Sequence, residues 1–408
     1  MSQTKQHMLS GYRLLDFTRA AAGPTCTRMF AEMGAEVIKV ESAPDGEMSR
    51  AMSKLRNSER SLYTVQQCLN KKSLCLDLRS PEAKALLMEL VPLCDVVVEN
   101  FRPGIIDEMG LGYETLKGLR EDIILCSISA LGQTGPLAKK PGYDYIAQAY
   151  SGITSMVGPP DDLPDLTLAA IGDVSTGVTA AFAIAAALLD RHRTGQGQHL
   201  DVAILDCYYH YHEVNVHRYS ATDGAIVPTR TGRHMNYICP GGIFQGPGGG
   251  ITIMAFLHHF KDLCAAMGRP ELATTPGWQT DIERLEKRDE VVKTIEDWLA
   301  TFPSVDAAIA VLEKHNVPCA PVLSVAETVT HPHLVARGTV RTVNDPIAGE
   351  FQIPGHPVHS SRYPANDPTL VAPMLGEHNR DILTKLLGRS EAEVERLTAA
   401  RVLQSKPY

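Results

Sequence analysis

Positive charge is in short supply in this chain. Its 39 lysines and arginines are outnumbered by 47 aspartates and glutamates, for a formal net charge of -8. Nucleic-acid binding rests on neutralising phosphates, so this balance excludes a nucleic-acid partner and leaves only local basic pockets for a phosphorylated ligand. The nine cysteines are odd in number and scattered, with no C-x-x-C pair. That excludes a disulfide framework and a zinc site and points to reduced thiols in a cytoplasmic protein. The first residues, MSQTKQHMLSGYRLLDF, lack the apolar core of a signal peptide. The longest apolar stretch, Val178–Leu189, is too short to span a bilayer and reads as a buried helix, so membrane insertion is not expected. The fingerprint G-x-G-x-x-G is missing as well. After the first strand stands AAAGP, Ala20–Pro24, whose glycine is not spaced for a dinucleotide pyrophosphate. Nicotinamide-dependent redox chemistry is disfavoured accordingly.

At 408 residues the chain is too long for one ordinary core, and two domains are expected. Apolar runs predict strands at 13–17, 36–41, 73–78, 96–99, 123–129 and 199–204, alternating with helical patterns such as 24–33 and 81–93. Pro81 suits a first helical turn. This alternation predicts a parallel, doubly wound, Rossmann-like sheet covered on both faces. Glycine and proline cluster from Gly224 to Gly250. A boundary there makes 225–320 a smaller α/β domain, with 1–224 and 321–408 forming the large one.

Asp173 lies in LTLAAIGDVSTG, just before a long Ala-rich helix. The ordinary reading is an N-cap, in which the carboxylate accepts backbone N–H groups. A helix start also keeps a carboxylate ionised, and an ionised carboxylate can attack a thioester. Both readings stay open on position alone. So do the readings of AAAGP, which is either plain strand–helix packing or a place for a phosphate or pantetheine. The glycines of QGPGGG, Gln245–Gly250, are either a hairpin turn or a flap over a substrate. Lys72, Arg79 and Arg102 follow or flank strand ends; each alone reads as a solvated charge, and together as a sheet edge where phosphates would bind. In HYHEVNVH, His212 and His217 are five apart and do not share a helical face, so no metal site is expected.

These pieces occur in a familiar order. LLDFTRAAAGP, GAEVIKVE, NKKS, VENFRPG, MGLG, SISALGQTGP and PGYDYIAQA are followed by IGD, TGQGQ, NVPCAPV and APMLGEH. As an ordered set spanning the chain they resemble the family III CoA-transferases. The resemblance implies a Rossmann-like domain built from both chain ends, a small central domain and an interlocked homodimer. It implies that coenzyme A serves as substrate with no permanently bound cofactor, and that the partners are an acyl-CoA and a carboxylic acid. It assigns Asp173 as nucleophile. It assigns CoA contacts to Ala20, Ala21, Ala22, Leu76, Arg79, Asn100, Phe101, Arg102, Met109, Pro141, Gly142 and Tyr143, and a substrate flap to Gly248, Gly249 and Gly250.

Three positions depart from the family pattern. Glu108 and Ser42 stand where basic residues are frequent. Ala21 replaces the glutamine of the oxalate enzymes, whose flap is G-G-G-G-Q rather than G-P-G-G-G. These departures do not support oxalate specificity. Neither donor nor acceptor is fixed by the sequence, and a dicarboxylic donor such as succinyl-CoA is what the family resemblance alone implies. Two other functions share these features. A racemase of α-methylacyl-CoA would need a general base, and Tyr143 stands where racemases carry histidine; a phenol with a pKa near 10 is a poor base at neutral pH. A non-catalytic CoA-ester binding protein would not need Asp173.

Overall fold

The computed structural model describes residues 7–55, 59–256, 258–364 and 366–406. Six strands form its main sheet: β1 (Arg13–Asp16), β2 (Glu36–Ser42), β3 (Lys71–Leu76), β4 (Val96–Glu99), β5 (Ile124–Ser129) and β6 (Gln198–Ala203). Every neighbouring pair is parallel, in the order β3-β2-β1-β4-β5-β6. The order reverses between β1 and β4, the point at which open α/β sheets leave a ligand crevice beyond their strand C-termini.

The two faces of the sheet are visible in single strands. Leu15, Ile38, Leu74, Val97 and Leu125 enter one buried cluster, with Leu86, Leu90 and Leu116. Their strand neighbours Leu14, Val37, Val96, Val98, Ile124 and Cys126 enter another, with Phe30, Ala180 and Ile184. Period-2 alternation with apolar residues at both phases is what a sheet buried on both faces requires. The covering helices are α1 (Ala22–Glu32), α2 (Leu62–Cys68), α3 (Pro81–Leu90), α4 (Ile105–Glu108), α5 (Tyr113–Leu119), α6 (Asp144–Ser151), α7 (Ile171–Thr194) and α8 (Ile204–His210). Pro81 opens α3 behind the N-cap Ser80, whose hydroxyl accepts the N–H groups of Glu82 and Ala83.

The chain divides into two compact units. The first comprises Met1–Gly152, Leu168–Glu213 and His331–Tyr408, and the second Ile153–Thr167 and Val214–Thr330. The second unit thus differs from the 225–320 expected for a small domain. It begins earlier, ends later, and takes in Ile153–Thr167, a stretch of glycine, proline and aspartate with no periodic pattern to mark its allegiance. It contains β7 (Gly241–Gly246), β8 (Gly249–Met254) and β9 (Cys319–Pro321) around a core that includes Phe244, Ile253, Trp278 and Ile295. In the first unit, β10 (Val340–Asp345) and β11 (Gly349–Pro354) form an antiparallel hairpin.

α7 runs 24 residues and is long and apolar enough to cross a membrane, yet one side of it is buried against the sheet, as the run Val178–Leu189 predicts for a core helix. The polar termini, Gly172–Ser175 and Arg191–Thr194, hide its length when only the apolar run is counted. Its buried side carries Thr176, Ala180, Ile184, Ala187 and Leu188. Its other side exposes Val174, Val178, Phe182 and Leu189.

Candidate active site

Asp173 sits in the third position of α7, behind the N-cap Ala170. The first N–H groups of a helix need partners from outside it, and those of Ile171, Gly172 and Asp173 all have one. Ile171 donates to Ala169 O (2.7 Å), and Val174 makes the first bond within the helix, to Ala170 O (3.0 Å). Gly172 donates to Tyr208 Oη (3.0 Å), and Asp173 itself to Asp144 Oδ2 (3.1 Å). The ordinary reading of Asp173 as a cap is therefore replaced: Asp144, from α6, does the capping. Tyr208 Oη in turn donates to Asp144 Oδ1 and accepts from Gln148 Nε2 (3.0 Å).

This arrangement leaves the Asp173 carboxylate free of hydrogen-bond donors among the described residues. Burial first, and then the negative charge of Asp144, push its pKa up to about 6. The helix start, with its N–H groups spent, does not hold the acid down. Gly172 and Gly177 serve close packing rather than flexibility. A Cβ at Gly172 would lie 2.2 Å from the Tyr208 ring, and one at Gly177 would lie 2.5 Å from Ala22 O.

The expected CoA contacts gather at one edge of the sheet. Ala20, Ala21 and Ala22 follow β1, and Leu76 ends β3 with Arg79 just beyond. Asn100, Phe101 and Arg102 follow β4, Met109 caps α4, and Pro141, Gly142 and Tyr143 lead from β5 into α6. All are at or beyond strand C-termini. Two do not fit a side-chain role. Leu76 is fully buried in the core, its carbonyl accepting from Ala43 N, and Arg79 is largely exposed and paired with Asp77. Lys72 lies at the opposite edge, at the start of β3, paired with Glu36. It borders a cavity of about 830 Å³ that is lined by none of the expected site residues.

The loop after β1 is held tightly. Ala20 takes a left-handed conformation, φ 59°, rare without a glycine. Its N–H donates to Glu47 Oε2 (3.2 Å) and its carbonyl accepts from Tyr63 Oη (3.1 Å). Burial raises the Tyr63 phenol to about 12, and Asp173 is among the charges acting on it. Asn100 clamps the preceding residue, accepting Arg19 N–H (2.7 Å) and donating to Arg19 O (2.8 Å). Among the described residues no acceptor meets the N–H groups of Ala22 and Gly23 at the start of α1. This helix start is open where that of α7 is saturated.

Asp144, Tyr208, Gln148, Glu47, Tyr63 and Arg19 were missed in the sequence. Each lies far along the chain from the residue it serves, apart from Arg19, and nothing local marks it. Gly246 pairs with Gly249, so Pro247 and Gly248 form a two-residue hairpin turn, with Gly248 at φ 84°. Proline followed by a positive-φ glycine is the signature of a type II turn. Gly249 and Gly250 already belong to β8, so Gly248–Gly250 lies on the tip of the β7–β8 hairpin. His212 Nε2 lies 2.9 Å from Ser151 O, and among the described residues no group of three His, Cys, Asp or Glu side chains could hold a metal.

The family model for CoA-transferase family III matches residues 9–379. The chain belongs to CoA-transferase family III. It is 35% identical to a succinyl-CoA–D-citramalate CoA-transferase of Chloroflexus aurantiacus, over 98% of this chain and 100% of that protein. It is 34% identical to a formyl-CoA:oxalate CoA-transferase of Streptomyces coelicolor, over 97% and 99%. It is 32% identical to the succinyl-CoA:glutarate CoA-transferase of Mus musculus, over 97% and 90%. Among solved structures, a CAIB/BAIF family protein from Brucella suis superposes with a TM-score of 0.81 at 30% identity, covering 94% of this chain and 100% of that one. Rv3272 of Mycobacterium tuberculosis gives 0.79 at 28%, covering 92% and 99%. Membership makes this family III chain an enzyme of the CoA-transferase class, with CoA esters as the substrates of that class.

Proposed function

We propose that this CoA-transferase moves coenzyme A from an acyl-CoA to a carboxylic acid through covalent intermediates on Asp173. The observation that carries the reading is the freed carboxylate: Asp144 caps α7, and no described residue donates to Asp173. With a pKa of about 6, Asp173 is mostly ionised at neutral pH yet poorly solvated, which suits a nucleophile.

The steps balance without a cofactor. An Asp173 oxygen attacks the thioester carbonyl, giving an aspartyl mixed anhydride and CoA thiolate. The thiolate attacks the aspartyl carbonyl, giving an aspartyl-CoA thioester and the free donor acid. The acceptor carboxylate attacks that thioester, re-forming an anhydride and thiolate. The thiolate then takes the acceptor acyl group and leaves Asp173 ionised. Stabilisation of the oxyanions falls to groups other than the first-turn N–H groups of α7, which are spent; the open N–H groups of Ala22 and Gly23 are candidates.

The crevice after β1 and β4 takes the CoA, with Asn100, Phe101 and Arg102 on one side and Ala20–Ala22 on the other. The relatives that act on succinyl-CoA favour that donor with a dicarboxylate acceptor. The exposed stripe Val174, Val178 and Phe182, recurring every fourth residue of α7, is covered by a second copy in a homodimer. The test is a donor-by-acceptor panel read by mass spectrometry, with succinyl-CoA, formyl-CoA and a branched 2-methylacyl-CoA as donors. Transfer of CoA to dicarboxylates is expected. Deuterium entering Cα of the 2-methylacyl-CoA in deuterium oxide, without transfer to any acid, would favour isomerisation instead.

A further inference from the structure

The reversal of strand order between β1 and β4 puts two short segments on either side of one crevice: Thr18–Ala22 after β1 and Asn100–Arg102 after β4. The side chains of the first segment are small or spoken for, with one exception. Thr18 is fully buried and its hydroxyl donates to Asp16, and three alanines follow Arg19. Arg19 is exposed, and among the described residues its guanidinium has no carboxylate partner and no hydrogen bond.

An exposed arginine is ordinarily a mobile, solvated charge. Arg19 is neither free in its backbone nor loose in its side chain. Asn100 takes both its N–H and its carbonyl, so the residue is tied to the segment beyond β4 by two hydrogen bonds of 2.7 and 2.8 Å. Its guanidinium carbon lies 4.9 Å from the centroid of the Phe101 ring. A planar cation over a ring face gains from the ring quadrupole and gives up rotamer freedom before any ligand arrives. Ala20, the next residue, is fixed in its left-handed conformation by Glu47 and Tyr63, which prevents the loop from swinging Arg19 away.

The nearby acids are committed elsewhere. Glu47 accepts from Ala20 N and Ser49, and the buried Glu99 accepts from Phe101 N. Arg102, in the same segment after β4 as Asn100 and Phe101, also has no carboxylate partner among the described residues. An unpaired, pre-positioned guanidinium such as that of Arg19 suits a planar bidentate contact to phosphate oxygens.

We infer that Arg19, held ready by Asn100 and Phe101, is the specificity residue that reads the phosphate-bearing end of coenzyme A. This rests on the reading that the β1/β4 crevice takes CoA. Binding measured without turnover tests it. Calorimetric Kd values are taken for CoA, dephospho-CoA and pantetheine with wild type, Arg19→Gln and Arg19→Lys. Arg19→Gln should weaken CoA about ten- to a hundredfold, the range for a charge-assisted hydrogen bond. Arg19→Lys should fall between, because it keeps charge and loses the stack. The salt dependence of CoA binding should flatten in Arg19→Gln. Pantetheine should bind all three proteins alike. A penalty that vanishes with dephospho-CoA assigns the 3′-phosphate; one that persists assigns the diphosphate. Equal CoA affinity in wild type and Arg19→Gln, or the same penalty on pantetheine, overturns the role of Arg19 while leaving transferase activity intact. A wild type that binds no CoA at all overturns both this inference and the reading it rests on.

Discussion

Asp144 Oδ2 accepts the backbone N–H of Asp173 at 3.1 Å, so the carboxylate that caps α7 is not the one that the helix itself carries at its start. The two acids thereby acquire different tasks. Asp144 is buried and tied to Tyr208, while Asp173 is left without donors and pushed upward in pKa by burial and by Asp144.

Replacing Asp173 separates cap from nucleophile. If Asp173 were the cap, Asp173→Asn would be close to silent, because asparagine caps as well as aspartate. The geometry instead predicts a fall in kcat of several orders of magnitude and a gain in stability. The folded pKa of about 6 lies above the ordinary 3.8, so the folded state pays to ionise this group. Wild-type stability is therefore complete below the unfolded pKa and declines as pH rises through about 6. Relative to Asp173→Asn the loss above that pH is at most about 3 kcal/mol. Urea unfolding of both proteins at pH 4 and pH 8 measures it, and equal stability at both pH values would contradict the burial of this charge.

The pH profile of kcat/KM should lose activity on the acid side as pH drops through about 6, since the ionised carboxylate is the reactive form. Burial is the larger cause of the shift and Asp144 the second. Asp144→Asn, which keeps an acceptor for the Asp173 N–H, should move the acid limb to lower pH but not to that of a free aspartate. An unmoved limb would show that Asp144 has no electrostatic hold on Asp173.

Tyr208→Phe removes one hydroxyl that serves three partners: Asp144, the Gly172 N–H and Gln148. Leaving buried polar groups unpaired costs about 1–3 kcal/mol each, so a loss of at least about 2 kcal/mol is expected in chemical unfolding. A loss below about 0.5 kcal/mol would mean that water replaces the hydroxyl.

Tyr63→Phe should act on the loop after β1. It frees the Ala20 carbonyl from its 3.1 Å bond and loosens a left-handed alanine. Stability should fall by about 1 kcal/mol. KM for acyl-CoA should rise and kcat should fall with it, because the open N–H groups of Ala22 and Gly23 that follow this loop are the candidates for stabilising the oxyanions.

Much of the large unit was legible in the sequence, and for a physical reason. A sheet buried on both faces demands continuous apolar strands such as Val96–Val98, and these stand out in the sequence. Motif order carried the family. What was not legible was partnership over distance. Nothing near Asp144 shows that it would cap a helix 29 residues on, and nothing near Tyr208 shows that its hydroxyl would meet Gly172. The glycines are silent for the same reason. Gly172 and Gly177 admit the Tyr208 ring and the Ala22 carbonyl, and Gly248 completes a tight turn. A glycine's role depends on what approaches it, which sequence does not record.

A covalent bond to Asp173 can be read on one peptide. Wild-type enzyme is incubated with succinyl-CoA and no acceptor acid, treated with hydroxylamine, digested and examined by mass spectrometry. An aspartyl anhydride or thioester should be captured as a hydroxamate at Asp173, only when the acyl-CoA is present, and never in Asp173→Asn. A hydroxamate at another residue, or an unmodified Asp173 in enzyme shown to exchange CoA with the same donor, would contradict it.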